Sequence, residues 1–192
     1  MRYAGGVADR REFRFGWGAT WLDLLATTGQ TFGAHPVERL DSVARLADWL
    51  ARTELTPARP PTERDLDRAC RLRETLRTLA LATVRGTAPA PEAVDELAEF
   101  LHRHPDRVRL DLADRLRRQP PASTTEALAR IAHQAADQLT GPARHALSIC
   151  AEHDCQAVFA DPVGRRRWCP APSCASRGRV RALRARRAAA AD

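Results

Sequence analysis

The chain has 192 residues, enough for one domain with a small appendage or for two modest domains. Hydrophobic residues make up 44% of it, which excludes wholesale disorder, and no apolar stretch approaches the roughly 20 residues that a bilayer-spanning helix needs. All 31 basic residues are arginine, against 24 acidic ones, and the excess is uneven: residues 144–192 hold 10 Arg against 4 acidic residues, a balance of +6, while residues 1–143 are close to neutral at +1.

That asymmetry points to a polyanion-binding end joined to a neutral body. The opening run Met1-Arg2-Tyr3-Ala4-Gly5-Gly6-Val7 has no apolar core of the kind a secretory leader carries, so a cytoplasmic location is expected. In that compartment thiols stay reduced, and clustered cysteines more often hold metal than form disulfides.

In chain order, Phe13 and Phe15 alternate with Glu12 and Arg14 and predict a short strand. A helix is expected over residues 20–28, with Trp21, Leu22, Leu24 and Leu25. Another is expected over 42–53, where Val43, Leu46, Ala47 and Leu50 share one face. A third, over 63–85, places Leu66, Cys70, Leu76, Leu79 and Val84 inward and stops before Gly86. Pro91 suits the first turn of a fourth, containing Val94, Leu97 and Leu101.

In 107–112, Val108, Leu110 and Leu112 alternate with polar residues, which fits a half-buried strand as well as a helix. A helix over 124–139 follows, with Leu128, Ile131, Ala135 and Leu139 at helical spacing. Thr140-Gly141-Pro142 then breaks it before a further short helix. Proline clusters at 57–61, 89–91 and 120–121 read as connections within one mainly α body, residues 1–141. Nothing in residues 1–143 has a Gly-rich phosphate loop, a His-Glu-x-x-His or a nucleophile elbow, so no enzyme is expected.

Four of the five cysteines crowd together as Cys150-x4-Cys155-x13-Cys169-x4-Cys174. Two close pairs with a hairpin-sized insert suit one tetrahedral zinc, and four protein ligands leave no open position, so the ion is structural. Between the pairs, residues 156–160, the turn Asp161-Pro162-Val163-Gly164 and residues 165–168 read as strand, turn, strand. A helix over 175–190 supplies the last ligand from its first turn. Knuckle, hairpin and helix make a treble-clef-like finger over residues 142–192.

The apolar residues of the finger are too few to fold it unaided, whereas zinc contributes on the order of 10–16 kcal/mol to such modules. Two disulfides, or His153 standing in for a cysteine, are the alternatives. Cys70 reads as a small buried hydrophobe, and the remaining histidines show no ligand spacing.

On the last helix Arg177, Arg181 and Arg184 stack on one face, with Arg179 and Arg186 flanking. Val180 and Leu183 form a stripe expected to cover Phe159 and Trp168. Arg165, Arg166 and Arg167 add a basic ridge. Four thiolates and one zinc bring the +6 of this end to about +4. Arginine forks suit phosphate oxygens and the acceptor edge of guanine, so nucleic acid is the expected partner, and no acidic residue lies at i, i+4 on the helix to neutralise them.

These residues resemble the CGNR-type zinc finger of bacterial proteins with an N-terminal ABATE domain: Cys150 and Cys155, then Phe159 with Asp161, then Arg166-Arg167-Trp168-Cys169, then Cys174-Ala175-Ser176-Arg177. Ala175-Ser176 stands where that pattern has Gly-Asn, and the turn between Asp161 and Arg165 is shorter. In the body, the runs Leu22-Asp23-Leu24-Leu25-Ala26-Thr27 and Leu46-Ala47-Asp48-Trp49-Leu50 are similar to the ABATE half. The resemblance implies a stress-linked transcription regulator whose body senses a small-molecule or stress signal or forms a homodimer, with DNA as partner. A zinc-stabilised module for RNA or protein is the alternative.

Overall fold

Three helices begin where a side chain caps them. The Ser42 hydroxyl accepts from the Arg45 amide at 3.3 Å, and the Ser123 hydroxyl accepts from Glu126 at 3.3 Å. Thr62 and Asp65 cap each other's amides in a capping box. These caps start α2 (Val43–Arg52), α5 (Thr124–Thr140) and α3 (Glu63–Arg85), and Gly86 closes α3 in the left-handed region. The remaining helices are α1 (Thr20–Leu25), α4 (Pro91–Arg103) with Pro91 in its first turn, and α6 (Pro172–Ala189). The computed structural model describes residues 11–112 and 115–189, and the Met1–Val7 run considered for a leader lies outside them.

The fold is mainly α. Its strands are short antiparallel pairs: β1 (Thr28–Gly29) with β2 (Val37–Glu38), β3 (Leu110–Leu112) with β4 (Leu116–Arg118), and β5 (Leu147–Ile149) with β6 (Val158–Ala160). Trp21, Leu22 and Leu24 of α1, Leu46, Trp49 and Leu50 of α2, Leu76 of α3, and Leu128 and Ile131 of α5 are buried together. Phe159 of β6 is fully buried in the same core. No helix of the described residues is long and apolar enough to cross a membrane.

Several expectations need correction. Residues 12–15 form no strand: Phe13 turns into the core with the Arg45 guanidinium 3.9 Å above its ring. The alternating 107–112 segment does pair, but its β3–β4 ribbon lies exposed, so its pattern reflects a two-stranded flap rather than a half-buried strand. The break at Gly141 is followed by a 3-10 helix, Pro142–Ala146, and then by β5, a strand the sequence did not signal. The first helix is shorter than expected, ending at Leu25.

The β1–β2 ribbon is pinned to α3 by an ion pair. Arg73, 4% exposed, grips Glu38 through both terminal nitrogens, at 2.8 and 2.6 Å, and also donates to the Thr27 hydroxyl at 2.9 Å. Burial alone would raise the Glu38 carboxyl, but hydrogen bonding from Arg73 brings it below its ordinary value. Cys70, on the same helix, is half-buried against the core, and burial pushes its thiol up.

Candidate metal centre and basic face

The knuckle between Cys150 and Cys155 is a tight loop. The Glu152 carbonyl accepts from both Cys155 and Gln156 at 2.9 Å, and Gln156 takes a left-handed φ of 45° to close it. Cys150 is tied to Ala157 at 2.9 Å, and the Ala151 amide donates to the Arg167 carbonyl at 3.1 Å, so the two cysteine loops are stitched side by side. Cys174 sits in the first turn of α6, where the helix N-terminus favours a thiolate.

These links gather four buried sulfurs within 4.8 Å of one another. A tetrahedron with Zn–S bonds of 2.3 Å has sulfurs about 3.8 Å apart. Cys155 and Cys169 lie 3.9 Å apart. All five cysteines are free thiols, and His153 is exposed and outside the cluster.

Four sulfurs packed this closely cannot all ionise without a cation among them. Hydrogen bonding from Cys155 pulls Cys150 far below the ordinary thiol range, while Cys155 and Cys169 are pushed far above it, chiefly by Cys150. At Cys174 the contact from Cys150 raises the pKa, yet Cys155 and Cys169 together bring it down to about 6. A dication removes this conflict by favouring the charged form at every sulfur. The donor set fits one zinc ion, held without an open coordination position.

The hairpin differs from the expected one. β6 pairs backward with β5, Leu147 opposite Ala160 and Ile149 opposite Val158, while residues 165–168 form no strand. The turn at 161–164 is present: Gly164 donates to the Asp161 carbonyl at 3.0 Å, and the Asp161 carboxylate accepts from the Arg166 amide at 2.6 Å. Pairing with the pre-cysteine segment ties the finger into the body, since Ala160 also donates to the Trp17 carbonyl at 2.8 Å. Gly18, at φ 107°, lies beneath Ala160, where a Cβ would collide with the Ala160 methyl.

At this point the comparisons with known proteins decide the family. The ABATE family model, described as "Putative stress-induced transcription regulator", matches residues 18–142. The chain belongs to the ABATE family. The CGNR zinc finger model matches residues 147–187, which span all four cysteines. No curated protein matches the sequence.

Within this ABATE-family chain the basic residues divide into two sets. Arg177 and Arg181 face the knuckle. Arg177 reaches Asp154 at 2.5 Å and the Cys174 sulfur at 3.6 Å. Arg181 donates to Glu152 at 2.8 Å and meets His153 Nδ1 at 2.8 Å. The acidic partners absent from the helix itself therefore come from the loop between Cys150 and Cys155, where a carboxylate amid the knuckle was the available sequence signal.

Arg165, Arg166, Arg167, Arg179, Arg184 and Arg186 are exposed and form no ion pair among the described residues. Arg166 and Arg167 lie over the rings of Phe159 and Trp168, at 5.9 and 5.5 Å. Val180 and Leu183 do not cover Phe159 and Trp168; they are 47% and 45% exposed. α6 instead meets Trp168 through Gly178, where a Cβ would sit 2.5 Å from the indole nitrogen. The helix is thus rotated from the expected pose, with its small residue inward and its apolar stripe outward.

Proposed function

We propose that this protein is a zinc-dependent DNA-binding regulator of transcription, in which residues 142–192 contact DNA and residues 1–141 form a sensing or oligomerising body. Cys150, Cys155, Cys169 and Cys174 hold one zinc ion whose role is structural, and the protein is not an enzyme. Arg165, Arg166, Arg167, Arg179, Arg184 and Arg186 supply the phosphate and base contacts, while Arg177 and Arg181 chiefly hold α6 in position. The observation that carries this reading is that Arg165, Arg166, Arg167, Arg179, Arg184 and Arg186 are exposed and without an ion pair among the described residues, in the same segment as the four-cysteine cluster.

Further support comes from a groove between the knuckle and α6. It is about 390 Å³, with Arg167, Arg179, Arg181 and Arg186 around Trp168, and its cationic rim suits a phosphate backbone. For such contacts, log affinity falls with log salt by about 0.9 per neutralised phosphate. Titrating the zinc-loaded chain against duplex DNA, structured RNA and heparin at several salt concentrations tests the reading. Preferential retention of duplex DNA is expected. Equal displacement by all three polyanions overturns DNA specificity, and preference for RNA favours the alternative of an RNA-binding module.

A further inference from the structure

The β3–β4 ribbon carries an apolar face that the rest of the body does not cover. Val108, Leu110, Leu112 and Leu116 are 62%, 56%, 83% and 66% exposed, four of the nine large apolar side chains exposed among the described residues. Alternation puts all four on one face of the ribbon, since Leu112 stands opposite Leu116 and Leu110 opposite Arg118. Arg109, Asp111 and Arg117 lie on the other face.

The two strands differ at their outer edges. Leu116, Arg117 and Arg118 of β4 line a cavity with Thr53, Glu54 and Ile131 of the body, so β4 is the inner strand. β3 pairs with β4 alone among the described residues. The Gln119 amide donates to the Arg109 carbonyl at 2.9 Å, which makes 109 and 119 a hydrogen-bonded pair. In an antiparallel ladder such pairs alternate, so Arg109 and Asp111 turn their backbone groups toward β4. Val108, Leu110 and Leu112 turn theirs outward, a row of donors and acceptors that a further strand can take up.

Which strand fits follows from the sequence of the edge itself. Val108-Arg109-Leu110-Asp111-Leu112 is self-complementary when laid antiparallel on a second copy about Leu110. Leu110 then faces its own counterpart, Val108 faces Leu112 and Arg109 faces Asp111, each off-axis contact occurring twice as a two-fold axis requires. Opposite charges in directly facing positions are favourable, and like charges are not. Arg109 forms no ion pair among the described residues, and Asp111 is exposed, accepting from Gln119 Nε2 at 2.8 Å through one oxygen. In the pair, Asp111 sits between Arg117 of its own chain and Arg109 of the copy, so charge alternates along the row. The same operation on β4 sets Arg117 against itself and Leu116 against Arg118, so β4 offers no such match.

We infer that the outer edge of β3 is a homodimer interface: two copies of this chain pair antiparallel through residues 108–112, joining two ribbons into one four-stranded sheet. The inference rests on the oligomerising role proposed for the body, to which it gives a surface, and not on DNA binding.

The test is sedimentation equilibrium of the full, zinc-loaded chain without nucleic acid. So short an interface predicts a reversible dimer with Kd of about 100 µM. Arg109→Asp sets carboxylates against each other and Asp111→Arg sets guanidiniums against each other, so each variant alone is expected to associate about tenfold more weakly. Their equimolar mixture restores both opposite-charge pairs and is expected to regain the wild-type affinity. Leu110→Pro removes an outward amide without touching the bonds to β4, and is expected to abolish association. In the unaltered protein, hydrogen exchange of the Leu110 amide is expected to slow as concentration rises, while that of Asp111 does not change. A wild-type chain that stays monomeric to about 0.5 mM, or association that survives Leu110→Pro, overturns the inference. A mixture no tighter than its components does the same, as does protection of Leu110 by duplex DNA without dimerisation, which gives the edge to nucleic acid. Failure of the DNA reading itself is seen separately in the polyanion titration.

Discussion

Arg181 donates to the Glu152 carboxylate at 2.8 Å, joining the exposed helix to a side chain only 3% accessible inside the knuckle. Arg177 Nε lies 3.7 Å from the same oxygen. One carboxylate therefore meets two arginines of α6, and its removal leaves Arg181 without a carboxylate partner among the described residues while Arg177 keeps Asp154. Glu152→Ala is expected to cost about 2 kcal/mol in chemical denaturation, below the range for fully buried pairs because the arginines are partly solvated.

The two arginine sets separate under salt. Arg184→Ala is expected to flatten the log affinity against log salt slope for duplex DNA by about 0.9 with unchanged stability. Arg181→Ala is expected to lower stability by about 1 kcal/mol and to change the slope less. Fluorescence anisotropy over a salt series, paired with thermal melts of the same variants, reads both.

Gly178 is where the helix touches Trp168. Alanine there gains about 1 kcal/mol of helix propensity, but its methyl displaces the indole, an overlap that costs about 1–3 kcal/mol. The expected net outcome for Gly178→Ala is destabilisation with a shifted tryptophan emission maximum.

Metal removal reaches beyond the finger. Val158 and Phe159 belong to the same buried core as Trp21 and Leu128, so loss of the knuckle uncovers apolar surface of the body. A strong chelator, or Cys150→Ser, is expected to lower the melting temperature of the whole chain in one transition rather than releasing a separate early one. Calorimetry with and without chelator checks this.

Asp23 gives the body a pH dependence. Burial raises its carboxyl to about 6, against hydrogen bonds from the Trp17 and Gly16 amides. A folded-state pKa above the ordinary value means that the stability contribution is full below about pH 3.8 and is lost as pH rises through about 6. Relative to Asp23→Asn, the wild type is expected to lose on the order of 1–2 kcal/mol across that interval. Urea midpoints of both proteins at pH 4, 5, 6 and 7 measure it.

The helices of the body were legible chiefly through periodicity, which supplies the inward face, with Pro91 and Gly86 marking two of their ends. Ser42, Thr62 with Asp65, and Ser123 cap three starts that the sequence reading placed without naming a cap, whereas α1 has no side-chain cap and ends three residues earlier than expected. The metal cluster was legible for a similar reason, since cysteine spacing is local. The partner of β6 was not: β5 is three residues long and its pairing depends on how the finger seats on Trp17.

The pose of α6 escaped for another reason. A helical wheel fixes which residues share a face, but not which face docks, and Gly178 rather than the Val180–Leu183 stripe makes the contact. Likewise the i, i+4 rule surveys only one helix, so Glu152 and Asp154, from a loop more than twenty residues earlier, were not counted as partners of Arg177 and Arg181. Phe13 and Phe15 alternated without a neighbouring strand to receive them, and Phe13 became a core residue instead.

Only residues 143–146 separate the two matched regions, and all four lie in the 3-10 helix, Pro142–Ala146. There is thus no leash along which the finger could wander. The two regions should tumble as one particle with a common correlation time, and any rearrangement of the body reaches the arginine helix as a shift of packed atoms, not as a swing through solvent.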